Sequence, residues 1–109
     1  MSLYGDYLKE RTNDQIYETE KGFATYRFID DKTVYIIDIY VKPEDRKSGI
    51  ASNISDYIVG LAKIRGCTKL LGTVVPSTKG CTNSLKALLA YGFELESASQ
   101  DIIILKKDI

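Results

Sequence analysis

TVYIIDIYVKPEDRKSGIASNISDYIVGLAKIRG, from Thr33 to Gly66, is the stretch whose reading decides the fold of this chain. Its first nine residues, Thr33 to Val41, are apolar on both alternating sets except at Asp38. Such a run suits a central strand covered on both faces. Pro43 cannot donate to a ladder and ends it. Lys42 to Ser48 then forms a short basic loop, with Glu44 and Asp45 partly offsetting Arg46 and Lys47. Gly49-Ile50-Ala51 opens a helix that runs to Arg65. Ile50, Ile54, Tyr57/Ile58 and Leu61/Ala62 fall on one face of it. Gly66 is a natural C-cap after a basic last turn. A strand that feeds a glycine-containing turn into a helix N-terminus is a ready anion site. The first helical N–H groups have no partner inside the helix, and the macrodipole adds partial positive charge there. This turn predicts a phosphate-bearing ligand.

Upstream, residues 1–14 read as an N-terminal arm or short helix. Ile16 to Glu20 and Phe23 to Ile29 alternate around the Lys21-Gly22 turn, and Asp30-Asp31-Lys32 makes the next turn. Tight turns joining three strands predict an antiparallel meander. Downstream, Lys69 to Val75 is a further strand, and a strand–helix–strand succession is most simply a parallel crossover. Pro76 and Gly80 bracket a loop. Thr82 or Asn83 can cap a second helix with Leu85, Leu88 and Leu89 on one face, closed by Tyr91-Gly92. Phe93 to Ser97 and Asp101 to Lys106 read as the last strands, around a turn at Ser97 to Gln100. The order is β-β-β-α-β-α-β-β, an α+β mixed sheet with helices packed on it, in one domain spanning residues 1–109.

At 109 residues with no formal net charge, the chain is one domain without the basic excess of a general nucleic-acid binder. No apolar run approaches the length of a membrane span, and Met1-Ser2-Leu3 leads into tyrosines and charges rather than a secretory signal. The expectation is a cytoplasmic protein. Cys67 and Cys81, without metal-ligand spacing, then read as reduced and structural. Histidine is absent. That removes Ser-His and Cys-His nucleophile pairs, and no metal site is expected.

Arg46-Lys47-Ser48-Gly49-Ile50-Ala51 resembles the R/Q-x-x-G-x-G/A motif of the GNAT superfamily of acyltransferases. Its context is similar too: an apolar strand entering through Val41-Lys42-Pro43, a helix after it, then a strand, a second helix and a Tyr91-Gly92-Phe93 close. The resemblance covers roughly residues 15 to 107. It implies a GNAT-like fold and an acetyl-CoA-dependent N-acetyltransferase acting on a small-molecule or peptide amine. It also implies that the amides around Lys47, Ser48, Gly49, Ile50 and Ala51, with Arg46, grip the pyrophosphate. The strand end at Ile39, Tyr40 and Val41 would pair with the pantetheine arm. The acyl thioester would enter a gap between this strand and Lys69 to Val75, with a backbone N–H near Val41 on its carbonyl.

The chain departs from the family pattern at several positions. Leu88 stands where the family usually has its thiolate-protonating tyrosine, and Cys81 stands at the usual helix-opening asparagine. Asn83 is near enough to bond the pantetheine arm but is out of register. Tyr91, three residues from Leu88, is a substitute acid or a packing residue, with Ser84 and Cys81 as further candidates. Asp38 is a candidate base if burial raises its pKa; otherwise it is an ion-pair partner or a rim residue. The family's segment before the meander shapes the acceptor site, and only 14 residues precede Gln15 here. The expectation is an acceptor pocket that is open or completed by a second copy in a homodimer. A GNAT fold kept as a non-catalytic acyl-CoA-binding or protein-interaction module is the alternative.

Overall fold

The computed structural model describes residues 3–12, 14–77 and 81–109. The elements are α1 (Leu3–Thr12), β1 (Gln15–Glu18), β2 (Gly22–Phe28), β3 (Thr33–Val41), a 3-10 turn at Pro43–Asp45, α2 (Ile50–Ile64), β4 (Lys69–Val74), α3 (Cys81–Tyr91), β5 (Glu94–Ala98) and β6 (Ile103–Asp108). They form one six-stranded sheet in the order β1-β2-β3-β4-β6-β5. β1, β2 and β3 are the predicted antiparallel meander, and β4 lies parallel to β3 across the α2 crossover. β6 inserts antiparallel between β4 and β5.

Turn chemistry sets the boundaries. The Thr19 hydroxyl accepts from the Gly22 amide at 3.1 Å, so β1 closes at Glu18 rather than Glu20. Asp30 accepts from the Lys32 amide at 2.8 Å, which holds the β2–β3 turn and keeps the Asp30 carboxyl below the usual range. At the last hairpin Ser99 bonds the Ile102 carbonyl through both its amide and its hydroxyl. That turn uses Ile102, and β6 starts at Ile103 instead of Asp101.

The core lies on one face of the sheet. Ala24, Tyr26, Val34, Ile36, Leu70 and Leu105 are buried there against Ile54, Ile58 and Ala62 of α2, with Phe93 completing the layer. The helical spacing of Ile54, Ile58 and Ala62 is what lets α2 bury a single stripe. α3 is held to the same layer by Leu88. A side-chain carbon added at Gly72 would meet Phe93 at 3.3 Å and Leu88 at 3.6 Å. The expectation that β3 is covered on both faces is corrected. Val34 and Ile36 are buried, but on the opposite face Tyr35 is half-buried and Asp38 and Tyr40 are exposed. α2 contacts β2 and β3, α3 contacts β4, and α1 reaches the sheet at β1. Across the middle of the sheet, the layer of helices therefore lies on one side.

Candidate functional site

The loop between β3 and α2 is built from short-range bonds. The Asp45 amide donates to the Lys42 carbonyl at 2.9 Å, and the Ser48 hydroxyl donates to the Asp45 carbonyl. Lys47 (φ 64°) and Gly49 (φ 85°) are both left-handed, which curls the chain tightly into the helix. Gly49 is the N-cap of α2 and has no side chain to bond the amides ahead of it, and the first turn carries no acidic residue. The first intrahelical bond runs from the Asn53 amide to the Gly49 carbonyl at 3.0 Å. The amides of Gly49 to Ser52 thus precede the ladder. A side-chain carbon at Gly49 would have nothing within 4 Å, so the chain is open to approach at the N-cap. Unfilled amides, positive dipole and open approach are what a phosphate group requires.

Arg46 is placed differently from the expected phosphate ligand. Its Nε donates to the Val41 carbonyl at 3.0 Å, and its guanidinium lies 5.6 Å from the Tyr40 ring centroid. It braces the end of β3. Lys47 is exposed on the curl itself.

β3 and β4 pair from Thr33↔Lys69 to Ile36↔Gly72 and no further, although β3 continues to Val41 and β4 to Val74. The sheet forks at this point. The cause is local: the β2–β3 register slips between Thr25 and Tyr26, pairing Thr25 with Asp38 but Tyr26 with Ile36, so Ile37 is a bulge. A bulge bends its strand and increases twist. Beyond the bulge, the Lys42 amide bonds the Lys21 carbonyl on the β2 side. By alternation the backbone groups of Ile39 and Val41 turn toward β4, into the fork. With the Val41 carbonyl already bonded by Arg46 Nε, the Ile39 groups and the Val41 amide form a strand edge without a β4 partner, leading from the α2 N-terminus to the fork base.

Leu88 stands over that base, beside Gly72 and Phe93. Tyr91 lies one turn further along α3, where its hydroxyl donates to Asp56 of α2 at 2.6 Å. Burial, and then this bond to Asp56, push the Tyr91 phenol above its ordinary value. Its proton is committed to a clasp between the two helices. Asp38 is exposed, so the burial that would suit a base is absent. It belongs to neither Arg27–Asp14 nor Lys69–Glu96, the ion pairs among the described residues. The side chains of Asn83, Cys81 and Ser84 lie outside the described residues. Cys67 is a buried free thiol. An open groove of about 330 Å³ is lined by Tyr17, Thr19 and Lys21 of the β1–β2 hairpin with Ile50 and Asn53 of the first turn of α2. The bulge at Ile37 and the Tyr35–Thr73 contact, which spans 38 positions, have no local sequence pattern.

Comparisons with known proteins bear on the family and the fold. The family described as "Acetyltransferase (GNAT) family" matches residues 18–93. A cattle (Bos taurus) thialysine N-epsilon-acetyltransferase is 35% identical over 71 residues, 62% of this chain and 42% of that protein. The chain therefore spans less than half the length of this curated relative. Among solved structures, a GNAT family acetyltransferase from Elizabethkingia anophelis with acetyl-CoA bound aligns at a TM-score of 0.76. It is 21% identical, over 98% of this chain and 82% of that one. The PaiA N-acetyltransferase from Thermoplasma acidophilum in complex with coenzyme A aligns at 0.77 with 18% identity, over 98% and 69% of the two chains.

Proposed function

Because the chain belongs to the acetyltransferase (GNAT) family, we propose that it transfers an acetyl group from acetyl-CoA to a primary amine. The observation that carries the reading is the continuity of three features: open amides at the α2 N-terminus, the edge of Ile39 and Val41 that has no β4 partner, and the fork that begins beyond Ile36 and Gly72. The residues fit the co-substrate in that order. The amides of Gly49 to Ser52 and the dipole of α2 hold the pyrophosphate. The backbone of Ile39 and Val41 pairs with the amide-bearing arm as an added strand would. The fork receives the thioester, and the Val41 amide is the donor for its carbonyl oxygen.

Bound acetyl-CoA supplies an acyl group on a good leaving thiolate. The amine must arrive with its nitrogen lone pair free. The lone pair forms the N–C bond while the carbonyl π pair moves to oxygen. That pair then returns and expels the thiolate. The nitrogen gives one proton to solvent and the thiolate takes one back. Solvent is assigned both transfers because Leu88 offers no proton at the fork base and the Tyr91 hydroxyl is bonded to Asp56. The name of the cattle relative points to the ε-amine of thialysine, so lysine-like amines are the acceptors to try first.

The test is calorimetric titration with acetyl-CoA, CoA and ATP, followed by thiol release with thialysine and lysine. Binding of acetyl-CoA and CoA but not ATP is expected, with at least a tenfold loss in Gly49→Glu, which places a carboxylate before the amides. Unchanged CoA affinity in that variant would overturn the assignment of the loop. CoA binding without turnover of any amine would favour a non-catalytic acyl-CoA-binding module.

A further inference from the structure

The fork has two sides. α2 and α3 lie over one, where Leu88 and Phe93 meet Gly72. A planar thioester exposes one carbonyl face to each side. With the helices over one, the amine must come from the other. On that side the Tyr35 hydroxyl and the Thr73 hydroxyl lie 2.9 Å apart, joining β3 to β4. They flank the last backbone pair, Ile36↔Gly72, so the hydroxyl pair sits at the base of the fork. Strand alternation turns both side chains away from the helices, and both are half-buried.

We propose that the Tyr35–Thr73 hydroxyl pair is the docking point of the acceptor amine. The inference rests on the acetyl-transfer reading above and extends it to the second substrate. Two hydroxyls that share one hydrogen bond keep one O–H and several lone pairs free. An attacking N–H can donate to those lone pairs, and this aims the nitrogen at the fork. The N–H becomes a stronger donor as the nitrogen gains positive charge, so the contact strengthens toward the transition state. The hydroxyls take no proton.

The charges on this face suit a lysine-like amine, which is an ammonium ion in water and gives one proton to solvent before it attacks. Tyr35 and Asp38 are three residues apart, and an unbroken strand would place them on opposite faces. The bulge at Ile37 puts them on one face: Tyr35 pairs with Arg27 and Asp38 with Thr25, two residues apart on β2. Asp38 therefore presents an exposed carboxylate beside the fork. Arg27, the neighbouring cation, is held by Asp14 through two bonds of 2.5 and 3.1 Å. Alternation places Lys69 and Lys106 on this face as well; Lys69 is held by Glu96 at 2.9 Å, and Asp38 is the carboxylate that attracts an ammonium group.

The probe is a conjugate in which the CoA sulfur is joined through a –CH2CO– bridge to the terminal nitrogen of lysine, titrated against acetyl-CoA. Wild type should bind the conjugate more tightly than acetyl-CoA. Tyr35→Phe and Thr73→Val should each lose about fivefold or more of that advantage. Their acetyl-CoA affinity should stay unchanged, which also shows that they are folded, and Thr73→Ser should restore the advantage. A conjugate advantage retained in both variants, or absent from wild type that binds acetyl-CoA, would overturn this proposal. Failure of wild type to bind acetyl-CoA would overturn the acetyl-transfer reading itself.

Discussion

Three glycines show how single positions shape the site, each for a different reason. Gly49 is needed for its left-handed backbone and its bare N-cap. Gly72 admits Leu88 and Phe93 onto the sheet. Gly22 allows strand contact. A side-chain carbon there would lie 2.3 Å from the Tyr40 carbonyl oxygen and 3.0 Å from the Val41 Cα, both backbone atoms that cannot turn aside. Gly22→Ala should therefore cost about 2–3 kcal/mol in urea unfolding. It should also weaken CoA binding, because the displaced segment is the strand end that leads to the fork. Equal unfolding midpoints for variant and wild type would contradict this. Gly49 was legible in the sequence, since its neighbours Arg46 and Ala51 complete a motif. The demand on Gly22 was not, because the obstructing atoms belong to β3.

Among the elements, α2 and α3 are coupled by the Tyr91–Asp56 bond, while the Tyr91 ring also lies 6.1 Å from the Phe93 ring and under Lys107 of β6. The phenol's pKa is raised in the folded state above its ordinary value of 10.0, first by burial and then by Asp56. A raised folded pKa means that the stability contribution is complete below the unfolded value and is lost as pH rises past it. Tyr26 acts in the same direction, through burial first and then Tyr57. The melting temperature should thus fall as pH climbs beyond about 10. Tyr91→Phe should be less stable at pH 8 by about 0.5–1 kcal/mol, the low end because Asp56 is exposed. It should then show a shallower alkaline decline than wild type. Parallel declines measured by circular dichroism would show that Tyr91 does not contribute. The period of α2 was readable from Ile50 to Ala62, and the strand character of β3 from its composition. The partner of Tyr91 was not readable, because 35 residues separate it from Asp56.

For the whole molecule, the anion site, the strand edge and the fork belong to one continuous sheet-and-helix unit, so a ligand that bridges them stabilises the native state alone. Acetyl-CoA at a hundredfold excess over its dissociation constant should add about 2.7 kcal/mol. ATP at the same concentration lacks a pantetheine arm, which the proposed site would pair with β3, and should add far less. Equal melting shifts from the two ligands would mean that only the α2 N-terminus is engaged. The sequence by itself determined the element order, the helix stripe and the loop that opens α2, since these rest on periodicity and on residues a few positions apart. The family resemblance also implied a gap between β3 and β4; only the tertiary structure decided that it opens beyond Ile36 and Gly72 and which side chains share each of its faces. The bulge at Ile37 exists in the register between β2 and β3, and an extra residue there reverses the face of every side chain beyond it. That reversal places Asp38 with Tyr35, and the parallel pairing of β3 with β4 brings Tyr35 to Thr73 across 38 positions of sequence. No local pattern encodes either contact, because both depend on how distant strands align.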